Sequence, residues 1–323
     1  MKKSNLFILP LSFLFVSVLS SKGQQVPDTA YEFAVYQAAY QKGDGPAIFI
    51  DEAHNNFHTK DGGFFAFSKL LQQDGYQVKG LYKPITNIEV LNGCKILVIA
   101  NSLNASNIHS WVLPNPSAFS KEEIANIKQW VENGGSLFLI ADHMPFAGAA
   151  SELGKAFGFE YINGFAFTGE QTWPPSVFSH KDKTLRESMV VNGFRGYEKI
   201  DSVATFTGSA FKAPEEAITV LRFLEDHYVL LPDTAWRFNA KTTRQSLEGF
   251  HQGALLNFGK GKVAVFGEAA MFTAQIVNGN FKVGISSESA PQNAQFTLNL
   301  IHWLDGVKEY RGVKVEGKTP GKQ

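Results

Sequence analysis

The stretch AIFIDEAHNNFHTKDGG, residues 47–63, sets Asp51, Glu52, His54, Asn55, Asn56, His58 and Asp61 directly behind an apolar run from Ala47 to Ile50. Two chemistries are open to such a cluster. One is proton transfer, in which an imidazole or carboxylate takes a proton while a second group protonates a leaving oxygen. Glu52 and His54, joined by His143, His251 and Glu268 from later segments, are the candidates for that work. The other is metal chemistry. His54 and His58 are four apart, which on a helix puts both imidazoles on one face, and with Asp51 and Asp142 they could supply an open divalent-metal site. HNNFH is no metalloenzyme motif and the segment reads as a loop, so the reading without a cofactor is preferred. Ser102 and Ser151 lack the G-x-S-x-G setting of an activated serine. Elimination or hydration therefore fits better than acyl transfer. On a uronic acid, where the carboxylate acidifies the adjacent C–H, the site also needs a cation, and Arg195 and Arg237, with Arg222 and Arg244, are candidates for that clamp. Trp173 in TWPP, Trp111 in SWVLPNP and Trp236 in DTAWRF lie in Pro-bearing or loop-like surroundings, where a flat ring can stack on a sugar. Asp51, Asn55, Asn101, Asp142, Trp173, Arg195 and Arg237 make up the expected substrate-binding set.

Four apolar runs must position these groups: AIFIDEAH (47–54), KILVIANSLN (95–104), SLFLIADHMPF (136–146) and KVAVFGEAAMF (262–272). Their hydrophobicity is continuous rather than alternating, the pattern of strands covered on both faces. Helical patterns lie between them. Phe64, Phe67, Leu70 and Leu71 form one stripe; Ser120 and Glu123 have capping-box spacing ahead of Ile124, Ile127 and Val131, with a stop at Gly134; Phe296, Leu300 and Trp303 share a face near the end. This alternation predicts an α/β fold, a doubly wound and mostly parallel sheet. Residues 163–260 break the rhythm and read as a β-rich insertion, closing in a hairpin at GKGK (259–262) that feeds the last core strand. In such sheets ligands bind beyond the carboxyl ends of the strands, so Asp51, Asn101, Asp142 and Glu268 are expected to converge on one crevice.

FIDEAHNN, FSKEEIANIKQWVENGGSLFLIADH, GKGKVAVFGEAAMF and NAQFTLNLIHWL together resemble the class I glutamine-amidotransferase-like superfamily, and within it an exported branch related to accessory proteins of gliding-motility transporters. The segment from Ser179 to Phe211 resembles a recurrent insertion of that branch. The resemblance covers nearly all of residues 24–323 and implies a flavodoxin-like fold in a single domain. It does not imply glutaminase activity. Where amidotransferases carry a nucleophilic cysteine after the corresponding strand, this chain has Asp142, His143 and Met144, and its one cysteine, Cys94, precedes a strand.

At 323 residues, 44% hydrophobic and 19% charged, the chain has material for a sizeable core. Thirty basic side chains balance thirty acidic ones, which gives no support for nucleic-acid binding. Lys2 and Lys3, the apolar run Leu6 to Leu19, and Ser21-x-Gly23 read as a signal peptide cleaved near Gly23. That predicts a periplasmic or secreted protein with no stable membrane insertion after cleavage. A single cysteine allows no internal disulfide. The reading is an exported carbohydrate-active enzyme, a lyase or dehydratase acting by acid–base elimination on acidic, uronate-containing oligosaccharides. A metal-assisted glycan hydrolase and a non-catalytic glycan-binding or envelope module are the alternatives.

Overall fold

The computed structural model describes residues 25–169, 175–307 and 309–312. The segment read as a signal peptide, and Trp173, lie outside them.

The continuous apolar runs do become central strands. The sheet they build comprises β1 (Ala47–Asp51), β2 (Gln77–Leu81), β3 (Cys94–Ala100), β4 (Ser136–Ile140), β5 (Glu160–Ile162), β6 (Ala210–Lys212), β7 (Ile218–Arg222), β8 (His251–Phe258) and β9 (Gly261–Phe266). The order is β2-β1-β3-β4-β9-β8-β6-β5, with β7 also paired to β8. Neighbours run parallel from β2 to β9. Beyond β9 every pairing is antiparallel.

This overturns the expected doubly wound, mostly parallel flavodoxin-like sheet. The described residues contain seventeen strands against five α-helices, in one mixed nine-stranded sheet and three smaller antiparallel ones. The physical reason is that residues 163–260 supply β6, β7 and β8 to the main sheet itself. A continuous apolar run reports that both faces are covered but says nothing about the direction of the neighbouring strand.

The helices are α1 (Phe65–Gln73), α2 (Lys121–Glu132), α3 (Phe146–Lys155), α4 (Met189–Asn192) and α5 (Asn293–Asp305). Phe67, Leu70 and Leu71 of α1 join Phe296, Leu300 and Trp303 of α5 in one core, against Ile48, Ile50, Val98 and Phe138 of the sheet. Ile127 and Val131 of α2 and Leu153 of α3 join the opposite core, with Leu97, Ile99, Leu137 and Leu139. Each fully buried side chain of this kind contributes about 1.5–3 kcal/mol. The Ser120 capping box forms as its spacing predicts, with Glu123 N–H donating to Ser120 Oγ at 3.2 Å and Ser120 N–H to Glu123 Oε2 at 2.9 Å. The GKGK hairpin joins β8 to β9 with Gly259 at φ +59°, a left-handed conformation that glycine adopts without strain.

Candidate active site

Residues Ala100, Ile140 and Phe266 stand level in the parallel ladder. The next residues along β3, β4 and β9 therefore leave the sheet at a single edge, and a crevice of about 200 Å³ lies there. Asn101, Asp142, His143 and His58 contribute its polar lining, with Thr207 beside them. Phe57, Trp111, Phe146 and Trp236 are among its aromatic lining residues, together with Phe206, Val277, Phe281 and Val283.

Hydrogen bonds between loops fix the polar groups. Asn101, held at φ +50°, accepts the Asp142 N–H on its Oδ1 at 2.9 Å. The carboxylate of Asp142 then accepts the N–H of His143 on Oδ1 at 2.7 Å, and Oδ2 has no hydrogen-bond partner among the described residues. His143 Nδ1 lies 2.6 Å from the Met144 carbonyl, which can only accept, so Nδ1 carries a proton and, in the neutral imidazole, Nε2 carries the lone pair. Its ring is stacked on Phe165 at 4.5 Å and meets Trp236 edge-on at 4.7 Å.

His58 is 3% exposed and stacks on Phe64 with rings 4° from parallel. Burial pushes its pKa down to about 4, against the opposing attraction of Asp142, so the imidazole is neutral at pH 7. Its Nδ1 has no partner among the described residues and faces Gly63, where a Cβ would sit 2.1 Å away. An unpaired lone pair there costs less than a stranded N–H, which assigns the proton to Nε2, on the side left for the crevice.

Glu268 is fully buried behind this floor and accepts the N–H groups of Ala270 and Met271 at 2.8 and 2.7 Å. Burial, then the neighbouring Asp142, hold its carboxyl well above the usual carboxylate range. It supports the floor and does not line the crevice. Backbone strain collects in the same place. Of the six non-glycine residues at positive φ among the described residues, Asn101, Thr207 and Trp236 line the crevice. Thr207 at φ +92° and Trp236 at φ +63° are unfavourable for a β-branched and a bulky side chain, a cost that clusters at ligand sites.

The histidine pair that opened the sequence is split. Loop 53–58 is zipped onto the end of β3, through Leu103 N–H to the His54 carbonyl at 2.9 Å and Phe57 N–H to the Asn101 carbonyl at 2.9 Å. Asn55 turns the chain at φ +49° and donates its Nδ2 to the Leu103 carbonyl at 3.2 Å. The turn sends His58 into the crevice and His54 the other way. His54 lies between Asp51 Oδ2 and Glu123 Oε1, each at 2.8 Å. Burial alone would lower its pKa, but the hydrogen bonds and charges of Asp51 and Glu123 outweigh this and raise it. With both ring nitrogens engaged, His54 is a staple between β1 and α2. Asp51 belongs to that staple, not to the crevice.

Glu52 accepts the Lys60 N–H at 3.0 Å and fixes the same loop. His251 lies 3.4 Å from Thr219 Oγ1 and near the Phe211 ring, apart from the crevice lining. Arg195 bonds Gln37 and Tyr197 and covers Tyr310 at 4.0 Å. Arg222 donates to the Lys183 carbonyl at 2.8 Å, Arg244 covers Tyr228 at 3.6 Å, and Arg237 is exposed. The four residues considered for a metal are thus divided between staple and crevice. No group of three or more His, Cys, Asp or Glu is placed to hold a metal ion among the described residues.

Sequence reasoning missed the crevice residues Thr207, Phe146 and Phe206, and two further points carry more of the site. Glu123 reads as a cap and also holds His54; nothing in the spacing signals the second role. Phe57, the Phe of HNNFH, is 46% exposed over the crevice, and an aromatic between two polar pairs in a loop was the available signal.

No family model and no curated protein matches the sequence, so the resemblance to the amidotransferase-like superfamily rests on the quoted motifs alone. Solved structures do match. The mmIFT52 N-terminal domain is 14% identical with a TM-score of 0.55, over 80% of this chain and 97% of that one. Cytoplasmic protein STM3548 from Salmonella typhimurium is 16% identical with a TM-score of 0.47, over 80% and 98%. A ThuA-like protein from Bacteroides uniformis is 12% identical with a TM-score of 0.42, over 84% and 94%. The first of these likenesses shows a shared fold; at such identity none speaks to activity.

Proposed function

We propose that this protein is an exported carbohydrate-active enzyme, a lyase or dehydratase whose His143 carries out acid–base elimination in the crevice at the end of β3, β4 and β9. The observation that carries the reading is the anchoring of His143. Its Nδ1–H is fixed on the Met144 carbonyl at 2.6 Å, and its Nε2 lone pair has no protein partner among the described residues. An imidazole fixed in this tautomer is a ready base. In the proposed step Nε2 takes the proton from a carbon next to a carbonyl or carboxyl group of the sugar. The C–H electrons form a double bond as the β-oxygen departs, and the imidazolium returns the same proton to that oxygen. One proton moves and the balance closes without an oxidant or reductant. His58, neutral and carrying its proton on Nε2, donates a hydrogen bond to the enolate oxygen that develops. The Asp142 carboxylate, bonded to the His143 amide, stabilises the transient imidazolium. Trp111, Trp236 and Phe57 present flat faces to a sugar ring.

The test is incubation of the full chain with oligosaccharides, followed by the absorbance of a new conjugated double bond. His143→Ala should lower turnover by roughly 10²–10⁴-fold, the contribution of a positioned base, at nearly unchanged melting temperature. Binding without any new absorbance or released sugar would show a glycan-binding module instead.

A further inference from the structure

We infer that the unit bound in the crevice is a single uncharged sugar ring, and that the site rejects the matching uronate. The inference rests on the carbohydrate reading above and narrows it. Size sets the first limit. A cavity of about 200 Å³ is below the roughly 300–1,000 Å³ of pockets that enclose a drug-sized ligand. It has room for one ring, and the rest of a glycan must lie outside it.

Charge sets the second limit. No lysine or arginine is among the lining residues. Among the described residues, the cation beside the lining strand and the arginines considered for a clamp are committed elsewhere or lie outside the lining. Lys282, between the lining residues Phe281 and Val283, alternates to the other side of its strand and pairs with Asp28 at 3.5 Å. Arg195, Arg222 and Arg244 have the partners described above. Arg237 follows Trp236 but is exposed and outside the lining. Among the described lining residues the one carboxylate is that of Asp142, whose Oδ2 has no hydrogen-bond partner among the described residues. What remains for recognition is neutral and polar: the Thr207 hydroxyl, without a partner among the described residues, the imidazole edges of His58 and His143, and the ring of Trp236, 46% exposed and held at φ +63° against His143 and Phe165. These are donors, acceptors and a stacking face for hydroxyl groups on a ring. A carboxylate would meet Asp142 with no counter-charge. For the elimination proposed above, the acidifying group is then an uncharged carbonyl.

The experiment is calorimetric titration of the full chain, at low ionic strength, with a panel of neutral methyl hexosides and the corresponding methyl hexuronides. At about 6 Å and an effective dielectric near 20, repulsion from Asp142 should weaken each hexuronide by roughly tenfold to a hundredfold against its neutral partner. Asp142→Asn keeps the acceptor for the His143 N–H and should shrink that gap to a few-fold. Arg237→Ala should leave both series unchanged. Hexuronides that bind as tightly as or tighter than the neutral sugars would overturn the inference while the carbohydrate reading stands. Loss of that binding in Arg237→Ala would then identify the clamp. If neither series binds, the carbohydrate reading falls and the inference falls with it.

Discussion

Replacing His54 by alanine should unfold the protein more easily and leave the chemistry of the folded fraction intact. His54 is 5% exposed, with Asp51 at 0% and Glu123 at 6%, so the substitution removes the middle of a buried Asp51–His54–Glu123 chain. Glu123 keeps the N–H groups of Ser120 and Ile85, at 2.9 and 3.1 Å. Among the described residues Asp51 keeps only a 3.2 Å bond from the Ala53 N–H, so most of the cost falls on it. Removing one member of a buried ion pair costs about 3–5 kcal/mol. At about 2–4 °C per kcal/mol for a chain of this class, the melting temperature should fall by roughly 6–20 °C. The pH dependence adds a signature. Because the folded His54 has a raised pKa, its contribution is full below its ordinary value of 6.5 and is lost as pH rises through the higher folded value. Glu123 has a lowered pKa, so its contribution is present above its ordinary 4.5 and is lost as pH falls through the lower folded value. The difference between wild type and variant should therefore be widest between these two values and narrow on both sides. Thermal unfolding across pH and turnover on the same preparations measure both effects. A variant that melts with the wild type yet has lost turnover would refute the staple and return His54 to catalysis.

Four other outcomes are expected. Because burial takes the His58 pKa from 6.5 to about 4, the unfolded chain binds a proton there that the folded one refuses. About 3 kcal/mol of stability should therefore disappear as pH falls from 6.5 to 4, and denaturant titrations of His58→Gln should show that acid loss removed. Gly63→Ala places a methyl 2.1 Å from His58 Nδ1; displacing the ring should cost about 1–3 kcal/mol and depress turnover, and an unaltered melting curve would place His58 elsewhere. Cys94, whose thiol burial pushes up to about 12, should react slowly with alkylating reagents at pH 8, and Cys94→Ala should retain activity. Mass spectrometry of protein from the native host should find an N-terminus near Gln24, whereas an intact Met1 would remove export from the proposal.

The sequence by itself located four central strands, the capped helix and the hairpin, because those leave a pattern in residues close together in the chain. Continuous apolar runs marked β1, β3, β4 and β9, Ser120 with Glu123 marked the start of α2, and GKGK marked the turn between β8 and β9. It also singled out Asn101, Asp142 and His143, since a polar residue ending a buried run has only the strand's end at which to lie. Tertiary structure decided what local pattern does not encode. The direction of β6, β7 and β8 against the sheet follows from pairings between distant segments, and these made the sheet mixed rather than mostly parallel. The roles of the two opening histidines were also set at long range. Hydrogen bonds from loop 53–58 to the end of β3 sent His58 into the crevice and gave His54 to a carboxylate sixty-nine positions away. Arg195, Arg222 and Arg244 separated from the candidate site for the same reason: each went to a carbonyl, amide or aromatic face that folding brought to it, and spacing in the chain does not say which that will be.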